Sequence, residues 1–283
     1  MKHYKEFNIT SEPFIPEVIS GVLWELEITG INEEVNCIKV FANEDSAATV
    51  ELISVQLQKL ADEKMIFNFS VEENLVEDRN WNEEWEKSVN VIEVTDRLVI
   101  KPTFKEYNSK PGQVIITIDP KMSFGTGEHQ TTKLVMQFLE GSVENGIRLL
   151  DVGSGTGVLA IAAVKLGADS AIAVDIDEWC FDNGKENCKL NSVENNIDVR
   201  LGEIKDINED NFDLITANIQ KNILLNIAEE IKKRLKPGGL LILSGLLYND
   251  EDDILSKYSS LGFELLEKKS LDEWIALKLK KTL

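Results

Sequence analysis

The stretch DPKMSFGTGEHQTT, Asp119 to Thr132, places two glycines, a histidine and two threonines where a helix is set to begin. About twenty residues later comes DVGSGTG, Asp151 to Gly157, with glycines spaced G-x-G-x-G at Gly153, Gly155 and Gly157. Glycines so spaced let the chain turn sharply and let a ligand reach the main chain. The spacing is not the dinucleotide G-x-G-x-x-G, and no G-K-[ST] follows, which excludes a P-loop. Asp175 lies 22 residues beyond Gly153, where a carboxylate can accept both hydroxyls of a ribose. Glu203 is a candidate partner for an adenine amino group. Asn218, in FDLITANIQKN, offers an amide oxygen that accepts a hydrogen bond but takes no proton at ordinary pH. Together these residues describe a site for an adenosine-like ligand that need not carry a pyrophosphate.

Such residues act only if strand ends hold them. From about Lys110 the sequence alternates strand, turn and helix. IRLLDVG, SAIAVDID, IDVRLG, FDLITANI and LLILSGLL read as five strands, separated by helical stretches at Val158 to Leu166, Glu178 to Leu190 and Asn222 to Leu235. Continuous apolar strands between helices imply a parallel sheet covered on both faces. FELLEKK and WIALKLKK read as a closing pair of strands. The expected fold is a doubly wound, Rossmann-like α/β domain whose ligands lie beyond the carboxyl ends of the strands. Asp177 reads better as a helix N-cap than as a ligand contact.

The first 75 or so residues follow another pattern. HYKEFNI, EVNCIKVFAN and KMIFNFSV read as strands, with a further one near Leu26 to Ile31. Helices are expected after Ser11 and Ser46, the second presenting Val50, Ile53, Leu57 and Leu60 on one face. This order predicts a small α+β, ferredoxin-like domain over residues 1–75 for recognition. A linker is expected over 76–110, including the spaced pair Trp81 and Trp85, and the α/β domain over 111–283.

S-adenosylmethionine (SAM) fits this ligand description, and the α/β half is then expected to be a Rossmann-like class I SAM methyltransferase domain. Amino-group methyltransferases often follow the Asn at the fourth strand with Pro-Pro and an aromatic ring that grips a planar amine. Here Ile219 and Gln220 follow Asn218, so an aliphatic amine suits the site better.

The segments DPKMSFGTGEHQTT, LLDVGSGTGVLAIAA, AVDID, ANI and LSGLL resemble those of bacterial ribosomal protein L-eleven methyltransferases, the PrmA family. The resemblance covers most of the chain. It implies methylation of lysine side chains and the N-terminal α-amine on a large-subunit ribosomal protein, gripped by the N-terminal domain. It also implies SAM contacts at Thr132, Gly153, Asp175 and Asn218, with Phe124, Gly125, Thr126 and Gly127 beside the cofactor. Gly155 belongs to the same floor, and Asn218 is the candidate catalytic residue. The first loop is expected to fold over the cofactor, with Thr132 at a helix N-terminus suited to a carboxylate or to backbone capping. His129 lies near the pocket or caps a helix.

Composition narrows the partners. The net charge is −20, with 19 acidic and 7 basic side chains in residues 1–90, a surface that repels phosphate backbones and attracts basic partners. Direct nucleic-acid binding is therefore not expected. Three cysteines and two histidines make no zinc cluster or disulfide framework. No apolar run approaches a membrane span, and MKHYKEFNIT is no signal peptide, so a cytoplasmic protein, monomeric, is expected. Methylation of another protein's lysine, an RNA methyltransferase and a non-catalytic SAM-binding regulator stay open as alternatives.

Overall fold

The structure is a computed structural model that describes residues 3–24, 26–34, 36–77, 89–119 and 125–282. It divides into two compact units, Met1–Ser88 and Val89–Leu283.

The first unit runs β1 (His3–Glu12), α1 (Pro16–Leu23), β2 (Gly30–Glu33), β3 (Ile38–Asn43), α2 (Val50–Asp62) and β4 (Asn68–Glu77). Its antiparallel sheet has the order β2-β3-β1-β4. Alternation along β1 and β3 sends Phe7, Ile9, Ile38 and Val40 inward. Ile53, Leu57 and Leu60 come down from α2 at helical spacing to meet them, burial worth roughly 1.5–3 kcal/mol for each such side chain. The helices start later than the serines predict. Ser11 is paired with Phe69 inside β1, and α1 begins at Pro16, whose missing N–H costs nothing in a first turn. Thr49, not Ser46, caps α2 by accepting from Leu52 N–H at 3.3 Å; the Ser46 hydroxyl instead accepts from Ala48 N–H at 3.0 Å, before the helix begins, and donates to the Glu27 carbonyl.

The second unit opens with a three-stranded sheet, β5 (Ile92–Glu93), β6 (Leu98–Lys101) and β7 (Val114–Thr117). Residues 89–110, read from sequence as part of a linker, thus belong to this unit. Leu98 and Ile100 are buried in its core beside Ile116 and Leu134. There follow α3 (Gln130–Glu140), β8 (Arg148–Val152), α4 (Val158–Leu166), β9 (Ser170–Asp175), α5 (Glu178–Leu190), β10 (Ile197–Leu201) and β11 (Phe212–Asn218). The chain closes with α6 (Lys221–Arg234), β12 (Leu235–Leu247), α7 (Glu251–Ser260), β13 (Phe263–Leu271) and β14 (Trp274–Lys281).

Strands β8 to β14 make one sheet in the order β10-β9-β8-β11-β12-β14-β13. The first five are parallel, and β14 enters antiparallel between β12 and β13. One face packs on residues of α3, α4 and α5, the other on residues of α6 and α7, so both faces are covered as the apolar strands predict. The order reverses at β8, between β9 and β11, and a crevice opens there beyond the carboxyl ends. No helix among the described residues is long and apolar enough to cross a membrane.

Candidate functional site

The crevice is a cleft of about 680 Å³, within the roughly 300–1,000 Å³ usual for small-molecule sites. Its floor is the turn after β8. Gly153, Gly155 and Gly157 all hold left-handed backbone, with φ of 71°, 53° and 78°. Gly153 is also a close approach: a Cβ there would lie 2.4 Å from Ile219 Cγ2.

Asp175 closes β9 and lines the cleft. One carboxylate oxygen accepts from Gly155 N–H at 2.8 Å and the other from Asp177 N–H at 3.1 Å. The side chain therefore ties the glycine turn to the start of α5, and each oxygen keeps a lone pair for a hydroxyl. Asp177 is the N-cap of α5, accepting from Trp179 N–H at 2.8 Å. Glu203 lines the cleft beside Gly202 and Ile204, with its carboxylate paired to Lys205 at 3.0 Å.

Asn218 ends β11 in the cleft wall. Its Nδ2 donates to Thr132 Oγ1 at 3.4 Å, while its buried Oδ1 has no partner among the described residues. Thr132 stands one layer behind the cleft wall, buried in the first turn of α3. His129 is the N-cap of that helix: its Nδ1 accepts from Thr131 N–H at 3.3 Å and lies 2.7 Å from Thr131 Oγ1. Its ring meets Trp274 edge-on, with centroids 4.9 Å apart, and both rings line the cleft.

Gly125 stands beside the glycine turn, and Gly125, Thr126 and Gly127 are not among the residues that line the cleft. The Gly125 carbonyl accepts from Thr156 Oγ1 at 2.6 Å, and a Cβ at Gly127 would collide with Ile100. Phe124, like Trp81 and Trp85, lies outside the described residues.

The family model described as "Ribosomal protein L11 methyltransferase (PrmA)" matches residues 18–282. The chain belongs to this family. A PrmA relative from Acetivibrio thermocellus, named "Ribosomal protein L11 methyltransferase", is 39% identical over 205 residues, which are 72% of this chain and 65% of that protein. A relative of the same name from Brevibacillus brevis is 34% identical over 266 residues, 92% of this chain and 85% of its own length. The solved structure titled ribosomal protein L11 methylase, from Lactobacillus delbrueckii subsp. bulgaricus, is 34% identical with a TM-score of 0.65. It covers 69% of this chain and 100% of its own. The match to the Acetivibrio protein thus spans just under two thirds of that relative.

Of the residues that the PrmA resemblance marks, Gly153, Asp175 and Asn218 come together around one cleft with Gly155 of the glycine turn, and Thr132 touches Asn218 from behind. Sequence reasoning missed Trp274 and Gly245. Gly245 holds φ +81° where β12 passes the end of β11, and a Cβ there would lie 2.5 Å from the Ile219 carbonyl oxygen. The signal in the sequence was LSGLL, a glycine inside an apolar strand, which marks a close backbone approach. It also missed the asparagines of α5. Asn187 donates to the Thr156 carbonyl at 3.0 Å and accepts from Asp119 N–H at 3.2 Å, fastening the glycine turn to the root of the preceding loop.

Proposed function

We propose that this chain is a SAM-dependent protein N-methyltransferase. It methylates amino groups, lysine side chains and the N-terminal α-amine, of large-subunit ribosomal protein L-eleven. The observation that carries the reading is Asn218, whose buried Oδ1 has no partner among the described residues and stands in the wall of a nucleoside-sized cleft. That oxygen is an acceptor prepared for an N–H.

The cleft fits the cofactor by its own chemistry. Gly153 and Gly155 give a floor without side chains, Asp175 offers oxygens to ribose hydroxyls, and Glu203 borders the adenine end. Gly125 and Thr132 complete the surroundings, a role supported by the Thr156–Gly125 and Asn218–Thr132 hydrogen bonds, and the family resemblance adds Phe124, Thr126 and Gly127 to them. When bound, SAM supplies an electrophilic methyl group on a sulfonium centre. The protein's part is to hold the amine in line with that methyl. A lysine amine is protonated at neutral pH, with a reference pKa of about 10.4, and attacks only as the neutral base. Asn218 orients that base by accepting its N–H, while the His129 and Trp274 rings wall the cleft. Asn218 takes no proton.

The first unit, whose β-α-β-β-α-β connectivity we read as ferredoxin-like, serves as the recognition domain. Its excess of acidic residues attracts a basic ribosomal protein and, in a chain of net charge −20, disfavours RNA. We place the reaction in the cytoplasm, on the free substrate protein, with the enzyme a monomer.

The deciding experiment is intact mass of purified ribosomal protein L-eleven, from cells lacking their own methyltransferase, after incubation with this enzyme and SAM. Mass rising in methyl steps, with the modified amines mapped by fragmentation, is the expected result. No rise despite measurable SAM binding would overturn the substrate. Within the same reading, Asp175→Asn weakens SAM binding roughly tenfold, because the amide loses a charge-assisted acceptor and turns an N–H₂ toward a backbone N–H. Turnover at saturating SAM is expected to stay near wild type, so titration calorimetry and kcat together check the assignment.

A further inference from the structure

We propose that cofactor binding displaces a proton from Asp151, a buried carboxyl behind the cleft wall that holds its proton more tightly in the free protein than when a cationic ligand fills the cleft. The inference rests on the SAM reading and goes beyond it, because it concerns a carboxyl that neither forms the cleft wall nor takes part in methyl transfer. Asp151 lies in β8 directly before Val152 and Gly153, both of which line the cleft, and is itself fully buried. Its Oδ1 accepts from the Thr216 hydroxyl at 2.7 Å. Its Oδ2 is buried and has no partner among the described residues. A carboxylate with only neutral donors about it, the Thr216 hydroxyl and more weakly the Ala160 backbone, is costly in the protein interior, whereas a neutral carboxyl is tolerable there.

Among the described residues of the neighbouring elements, none sets a cation against this carboxyl. From β9 comes Asp175, a like charge; from β11 the neutral Thr216; from α4 the backbone of Ala160 and no charged side chain in the first turn. Helix α3, on the same face of the sheet, begins with the N-cap His129, the buried Thr131 and Thr132, and Lys133. Burial pushes the Asp151 carboxyl up to about 7; the Thr216 hydrogen bond and, more weakly, that of the Ala160 backbone oppose the rise, and repulsion from Asp175 adds to it. A ligand that brings positive charge to the other side of Val152 and Gly153 reverses the balance, since a nearby opposite charge favours ionisation. Binding and deprotonation are then linked. SAM affinity is flat above the free carboxyl's titration and falls by up to about tenfold per pH unit below it.

The test is calorimetric titration of SAM into the full chain at pH 7, in buffers of different ionisation enthalpy. Release of a fraction of a proton per SAM is expected near neutral pH, falling toward zero as the pH rises. Asp151→Asn is expected to bind SAM without that release. Thr216→Val is expected to move the release midpoint to higher pH, because the lost hydroxyl favoured the ionised form. S-adenosylhomocysteine, which keeps the ammonium but not the sulfonium charge, locates the source. A smaller release than with SAM assigns it to the sulfonium, and an equal one to the ammonium. Equal heats in all buffers, or an unchanged proton count in Asp151→Asn, would overturn the inference. So would loss of the release in His129→Gln, which would assign it to the imidazole. If Asp151→Asn does not fold, an unmoved midpoint in Thr216→Val overturns it alone. Absence of any SAM binding would overturn the cofactor reading as well, whereas binding without proton release sinks this inference only.

Discussion

Asn218→Ala is expected to lower kcat about a hundredfold while leaving SAM affinity nearly unchanged, the loss typical when a reacting group is misplaced by about an ångström. The asymmetry follows from the two ends of the amide. Nδ2 is spent on Thr132 Oγ1, which fixes the plane of the side chain, and Oδ1 is left without a partner in the cleft wall. Truncation removes an acceptor that only the target amine uses. The glycine floor and Asp175 are untouched. Asn218→Asp gives a sharper contrast, since it keeps the shape but adds a negative charge. A carboxylate beside the amine favours its protonated form, so the pH profile of turnover is expected to move to higher pH. Equilibrium binding of SAM and single-turnover methylation across pH separate these outcomes. A large loss of SAM affinity in Asn218→Ala, with turnover per bound complex intact, would place Asn218 in cofactor binding instead.

Much of this site was legible because parallel α/β sheets place chemistry by rule. The glycine turn and the acid at the end of the next strand are set by local chain geometry, so Gly153 and Asp175 were readable from spacing alone. Asn218 was readable once FDLITANI was recognised as the strand across the switch point. Trp274 was not. It reaches the cleft because β14 inserts antiparallel between β12 and β13, and its neighbour Asp272 accepts a hydrogen bond from Gln130, 142 positions earlier. Nothing local in the sequence encodes that register. The environment of Asp151 was equally hidden, since an acid at a strand end looks the same whether buried or exposed. Its burial depends on Thr216, 65 positions away. In the first unit, Ser11 and Ser46 carried cap chemistry but start no helix. A ten-residue ladder between β1 and β4 holds Ser11 extended, and the Ser46 hydroxyl accepts from Ala48 N–H before α2 begins.

The second large effect is expected at two glycines that press on the same isoleucine from different sides. Gly245→Ala puts a Cβ 2.5 Å from the carbonyl oxygen of Ile219, with the carbonyl carbon and amide nitrogen under 3 Å as well. It also forces a left-handed backbone on alanine, itself roughly 1–2 kcal/mol unfavourable. The obstacle is main chain, so β11 and β12 must part where Asn218 pairs with Ser244. Loss of about 2–4 kcal/mol of stability is expected, lowering Tm by roughly 4–16 °C for a domain of this size, together with SAM binding. Gly153→Ala meets only the Cγ2 methyl of Ile219, at 2.4 Å. Removing that methyl relieves the contact. Ile219→Ala is therefore expected to restore SAM binding in part to Gly153→Ala and to do nothing for Gly245→Ala, a difference that a double-mutant cycle on SAM affinity and thermal melting reads directly. Equal rescue of both, or of neither, would mean that the ends of β8, β11 and β12 do not meet at Ile219 as described.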